Sequence, residues 1–231
     1  MELISNKSIF IFLFFSSILS FSTTTSATSE VPSELDLKFF LPDSPSPSPA
    51  VQASHPTFSS FNITTFIAMH FPKVPTSSIH SSLENICSVT QNPKMCVTLL
   101  ASHVTQPVTP LTSLQAVIKT LDVLVKDASF VAMDVHKDPS TPLKLKKSLE
   151  MSMEQYWRAS NSIGHASAAF SSHDIEEVKS MLVVAVTNFG FADEAFYKHG
   201  LKKSPMNDIN EFLIQFAEFG IDISSNLTKN Y

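Results

Sequence analysis

The chain has 231 residues, 43% of them hydrophobic, and a formal net charge of −5. That length and apolar content allow one packed domain with peripheral segments, while the acidic balance disfavours nucleic acid and anionic membranes and suits a basic partner. Glycine occurs four times, at Gly164, Gly190, Gly200 and Gly220, too sparsely for a phosphate-cradling loop, a nucleophile elbow or the many turns of a sheet-rich enzyme.

Residues 1–27 read as a secretory signal peptide. Lys7 precedes an apolar run of about 13 residues, Ile9–Phe21, and Thr25-Ser26-Ala27 supplies small residues for cleavage. The run falls short of the roughly 20 residues that span a bilayer, and no later segment reaches that length, so no membrane span is expected. Residues 28–78 read as a Ser/Pro-rich, partly disordered linker. In Pro42-Asp43-Ser44-Pro45-Ser46-Pro47-Ser48-Pro49 the prolines remove amide donors and keep the backbone extended and solvated. This Ser-Pro alternation resembles the glycosylated linkers of plant cell-wall proteins. Further along, Phe58, Phe61, Ile63, Phe66, Ile67, Met69 and Phe71 are too apolar for a solvated spacer and suit a short helix or a segment packed on the domain. Asn62-Ile63-Thr64 and Asn226-Leu227-Thr228 match the N-glycosylation acceptor pattern of secreted chains. Asn62 and Asn226 are therefore candidate glycan sites, with a core-edge role competing at Asn226.

Residues 79–231 carry regular helical spacing. Cys87 and Cys96 are the two cysteines, and the Asn92-Pro93 step between them marks a turn. Behind a leader, two nearby cysteines read as one local disulfide rather than a metal site or redox pair. The result is a stapled helical hairpin, one helix ending near Val89 and the other running from Pro93, at a first helical position, to about His103. Four longer segments follow. Their apolar positions recur in steps of three and four: Leu114 to Val135, Leu145 to Phe170 with Ser152 and Tyr156 in register, Ile175 to Phe196, and Ile209 to Asn226. Thr141 as N-cap with Pro142 behind it, Asp174 with Glu177, Gly200, and Ser204-Pro205 mark the breaks. Such short connections make neighbours antiparallel. The expected fold is all-α: an antiparallel up-down-up-down four-helix bundle with an N-terminal helical hairpin.

Nothing in the sequence assembles chemistry. The eight histidines are scattered, none at the H-E-x-x-H spacing of a helical metal site. No local motif organises serine, histidine and aspartate around a nucleophile, and Glu176-Glu177 reads as a solvated helix start favoured by the helix dipole. No catalytic, cofactor-binding or metal-ligating residue is assigned, and no cofactor is expected.

The motif Ile86-Cys87-x-x-Thr90-x-x-Pro93-x-x-Cys96, with Ser148-Leu149-Glu150 through Tyr156, Val178 through Thr187-Asn188, and Ser224-Ser225-Asn226-Leu227, resembles the plant pectin methylesterase inhibitor and invertase inhibitor family from about Ile79 to Tyr231. The resemblance implies a second disulfide between the second and third bundle helices. Its two positions correspond here to Ser152 and Ala192, both on inward stripes, so this chain looks like a member that has lost that crosslink.

The resemblance further implies a secreted, non-catalytic inhibitor acting in the apoplast or cell wall. Its leading partner is pectin methylesterase, whose substrate cleft it would occlude. Acid invertase is the alternative, although the Pro-Lys-Phe element of invertase-side members is replaced by Ser172-His173-Asp174-Ile175-Glu176-Glu177. A non-inhibitory structural or signalling cell-wall protein on the same bundle is a third reading. Outward positions of the second and third bundle helices make Glu154, Arg158, Asn161, Asp174, Lys179 and Thr187 the candidate enzyme interface. Oligomeric state is not readable.

Overall fold

The computed structural model describes residues 62–72 and 79–229, all within the compact unit Ser54–Tyr231. The expected leader, 1–27, and the linker apart from 62–72 lie outside the described residues. Seven helices are found among those described: α1 (Ile63–His70), α2 (Ile79–Cys87), α3 (Pro93–Leu100), α4 (Pro110–Lys137), α5 (Leu143–Ser171), α6 (Ile175–Lys198) and α7 (Asn207–Lys229). Helix α4 packs on α5, α5 on α6 and α6 on α7, and α7 returns to α4 to close the ring. With short connections reversing the chain each time, this is an antiparallel up-down-up-down four-helix bundle, preceded by the α2–α3 hairpin.

The core is built from the periodic stripes. Leu114, Val117, Leu121, Leu124 and Ala128 of α4 are buried with Leu149, Tyr156, Ile163 and Ala166 of α5. Val178, Leu182, Ala185, Phe189 and Phe196 of α6 meet Ile209, Phe212, Phe216, Phe219 and Ile223 of α7. Gly220 sits where α7 comes closest to its neighbours: a Cβ there would lie 2.8 Å from Leu182 Cδ1 and 3.1 Å from Val117 Cγ1. Only the absence of a side chain lets the three helices approach to that distance.

Helix starts follow side-chain chemistry. Thr109 and Thr112 cap α4 reciprocally: Thr109 Oγ1 accepts from Thr112 N at 3.1 Å and Thr112 Oγ1 from Thr109 N at 2.9 Å. Asp174 Oδ1 accepts from Glu177 N at 3.0 Å to open α6, and Gly200, at φ 71°, closes it. Thr141 departs from its expected role. Pro142 is the N-cap of α5 and gives no side-chain bond, while Thr141 Oγ1 donates to Val135 O at 2.7 Å. An unpaired carbonyl at the end of α4 competes for the hydroxyl and takes it. Likewise Ser204 Oγ accepts from Met206 N at 3.0 Å, forming a turn that delays α7 to Asn207, and α3 ends at Leu100, short of His103.

In the hairpin, Cys87 and Cys96 are bonded, 5.8 Å apart at Cα and nine residues apart in sequence, and both are fully buried. A loop this small contributes about 2–3 kcal/mol by restricting the unfolded chain.

The apolar stretch inside the expected linker folds as α1. Asn62 Oδ1 accepts from Thr64 N at 2.8 Å to start it. Phe66 is fully buried and meets Phe212 of α7 edge-on at 6.4 Å. Phe71 packs on Phe212 and Phe216 at 5.7 and 5.5 Å. His103 shares a 2.9 Å hydrogen bond through Nε2 with the His70 carbonyl, and His70 Nε2 lies 3.1 Å from Asp127 Oδ2 of α4. Burial lowers the His103 pKa, opposed in part by that carbonyl bond. Helix α1 thus lies against α4 and α7, across the ring from the seam between α5 and α6.

Candidate docking face

The outer surfaces of α5 and α6 meet along a groove of about 300 Å³. Met151, Gln155 and Arg158 line it from α5, and Asn188, Phe191 and Lys198 from α6. Its most exposed large apolar side chain is Phe191, 49% exposed. Val184, 42% exposed, stands two turns earlier on the same side of α6. The charges beside the groove are paired within their own helices. Arg158 Nη2 donates to Glu154 Oε1 at 2.6 Å and its Nε to the same oxygen at 3.2 Å. Lys198 Nζ lies 3.4 Å from Glu194 Oε1. Exposed pairs of this kind hold weakly and are easily exchanged for a partner's groups.

Several candidate interface residues converge on this groove. Arg158 lines it, and Glu154 and Asn161, both exposed, are its neighbours one turn away on α5. Thr187 is exposed one turn before Phe191, and its Oγ1 donates to Val183 O at 3.0 Å. Two candidates lie elsewhere. Lys179 precedes Asn188 by nine residues, which at 100° per residue puts it on the opposite flank of α6. Asp174 is about 21 Å back along the helix axis from Asn188 and lines a separate hollow of about 710 Å³ with Leu111, His173 and Leu227. Sequence reasoning places Met151 on the outward face of α5 but missed Phe191, Asn188, Gln155 and Lys198. The signal that could have found them was Val184 and Phe191, two bulky apolar residues seven apart and off the core stripe.

Directly beneath the groove lie Ser152 and Ala192, both fully buried. Ser152 Oγ donates to Ala192 O at 2.6 Å. The two positions face each other across the α5–α6 contact, joined by a hydrogen bond instead of a covalent link. A second buried polar chain ties three helices. Tyr156 OH donates to Asn210 Oδ1 at 2.7 Å, and Asn210 Nδ2 donates to Asp193 Oδ1 at 2.7 Å. Complete burial pushes the Tyr156 phenol far above its ordinary pKa, so it stays a donor. Burial also raises the Asp193 pKa, partly offset by hydrogen bonds from Asn210 and Ser204 and reinforced by Glu211 and Asp208.

Asp193 carries a pH prediction. A carboxyl whose folded pKa is raised binds its proton more tightly when folded, so folding weakens as pH climbs from the unfolded carboxylate range through the raised value. Asp193→Asn retains an oxygen acceptor for Asn210 and removes the buried charge. The variant is expected to melt higher than the parent at neutral pH, with the gap closing as pH falls toward 4. A gap that widens on acidification in scanning calorimetry would contradict this.

Among the described residues no group of three or more His, Cys, Asp or Glu is placed to hold a metal, and no helix is long and apolar enough to cross a membrane. The bundle is a closed helical ring with a shallow groove between α5 and α6. The family model for plant invertase/pectin methylesterase inhibitor matches residues 81–227, well over half of the chain, and the chain belongs to that family. Within it, this is a non-enzymatic member with the single disulfide Cys87–Cys96 and lacking the second crosslink. Among solved structures it is similar to mutant form A of a pectin methylesterase inhibitor from Arabidopsis, with 14% identity, 64% of this chain and 97% of that chain covered, and a TM-score of 0.53. A pectin methylesterase inhibitor from Arabidopsis thaliana aligns with 14% identity, 65% and 97% coverage, and a TM-score of 0.47. No curated protein matches the chain.

Proposed function

We propose that this chain is exported to the plant cell wall and inhibits pectin methylesterase by laying the α5–α6 face across the enzyme's substrate cleft. Family membership over residues 81–227 carries the reading. The half-exposed Phe191 in this groove supports the choice of face, because aromatic anchors that become buried among exchangeable polar groups are what concentrate binding energy in protein interfaces. Inhibition is steric: a contact of roughly 1,600 Å² excludes the polymer without any group on this chain doing chemistry. Export rests on the leader read in residues 1–27. The domain organisation proposed is a leader, a Ser/Pro-rich linker, and a folded unit that takes in residues 62–72, whose Phe66 is fully buried.

The test is titration of the purified chain against pectin methylesterase, with acid invertase as comparator. Phe191→Asp is expected to weaken inhibition by at least tenfold, about 1.4 kcal/mol or more, without lowering the melting temperature, because the ring is half exposed. Lys179→Glu, on the other flank of α6, should change inhibition less than twofold. Equal losses from both variants would rule out the α5–α6 face. Inhibition of invertase alone would move the target, and inhibition of neither enzyme from mildly acid to neutral pH would favour a non-inhibitory cell-wall role.

A further inference from the structure

We infer that Asn62 carries an N-linked oligosaccharide, that Asn226 does not, and that the sugar stands on the side of the bundle away from the docking groove. The inference rests on export through the secretory route. Both tripeptides fit the acceptor pattern, and the structure separates them. Asn62 is exposed and precedes the first turn of α1. Its Oδ1 accepts from Thr64 N at 2.8 Å, and no hydrogen bond to its Nδ2 is found among the described residues. This local Asx turn holds the carboxamide by its oxygen, so that Nδ2 is the atom left for an incoming group. The transfer balances simply. Asn62 Nδ2 attacks the anomeric carbon of an oligosaccharide carried on a lipid pyrophosphate. The carbon–oxygen bond to pyrophosphate breaks, the lipid pyrophosphate leaves with the electron pair, and Nδ2 gives up one proton.

Asn226 lies within α7 and is partly buried. In a helix the N–H two residues on points toward the carbonyl four residues before it, so the same side-chain turn does not form. Thr228 Oγ1 is itself directed at Ser225 O, 3.3 Å away. A glycan on Asn226 would have to be housed beside Leu227 and Ser224, both buried. One on Asn62 projects from the start of a helix seated on α4 and α7, across the ring from Phe191.

The experiment expresses the full chain in plant cells and a second version in which residues 1–27 are replaced by a leader known to drive export. Secreted protein is treated in heavy-oxygen water with a peptide N-glycosidase that accepts plant core sugars, and the peptides are weighed. The expected result is heavy aspartate at position 62 and unchanged Asn226. Thr64→Ala, which leaves the Asn62 cap in place, abolishes the gel-mobility shift and leaves inhibitory potency within twofold of the glycosylated protein. Unmodified Asn62 in secreted material, a sugar at Asn226, or a mobility shift that survives Thr64→Ala would overturn the assignment. Potency rising severalfold in Thr64→Ala would overturn the placement of the sugar. Modification of Asn62 seen only with the replacement leader supports the site and counts against export by residues 1–27.

Discussion

Ser152→Cys combined with Ala192→Cys is expected to give a protein with a second crosslink and substantially greater stability. Ser152 Oγ already lies 2.6 Å from the Ala192 carbonyl, so α5 and α6 are close at this level and neither backbone has far to move. The bridge would close a span of 40 residues, for which loop-closure entropy predicts about 3–4 kcal/mol. For a domain of this size that corresponds to a rise in melting temperature of roughly 10 °C. Thiol titration and calorimetry with and without reductant check it. Two free thiols after oxidative refolding, or equal melting of the oxidised and reduced forms, would show that the two helices are not in register here. The single change Ser152→Ala should cost about 1 kcal/mol, because Ala192 O keeps a helical partner.

Phe66→Ala is the second large effect. The ring is fully buried and is the main apolar anchor of an eight-residue helix, which on its own is too short to persist in water. Truncating a buried phenylalanine costs about 3–5 kcal/mol, more than the His70–Asp127 and His103–His70 contacts supply. Helix α1 is therefore expected to come away while the four-helix ring stays folded. Hydrogen exchange should show loss of protection across 62–72 with α4–α7 unchanged, and limited proteolysis should cut between α1 and α2. The bared Phe212 and Phe216 should bind a hydrophobic dye. Undiminished protection in 62–72 would mean that Phe71 and the histidine contacts suffice to seat the helix.

The ring itself was legible in the sequence because each long helix repeats its burial requirement five or more times, and a period sustained from Leu114 to Val135 or from Ile209 to Ile223 is hard to produce with anything but a one-sided helix. Helix α1 was half legible. Its apolar content forbade a solvated spacer, but eight residues give barely two turns of pattern, and Phe212 and Phe216, the α7 rings that Phe66 and Phe71 pack on, are more than a hundred residues away. Thr141 shows a different limit: its hydroxyl had two orphan backbone groups within reach, and only the packed turn decides which one it serves. The docking face was least legible. Outward positions on a helix share no periodic signature, so Arg158 and Thr187 could be named together with Lys179 and Asp174, although Lys179 stands on the opposite flank of α6 and Asp174 at its far end. Phe191 was hidden for the opposite reason, since it adjoins Phe189 and Ala192 and reads as part of a core run.

Gly220 has a consequence for recognition. With nothing between the α7 backbone and the ends of Leu182 and Val117, the rods interlock at a point where any sliding would cause a collision. The docking surface proposed for α5–α6, borne on such a frame, would reach an enzyme already in shape. Little internal motion would then be frozen on binding, and more of the contact energy would be retained as affinity.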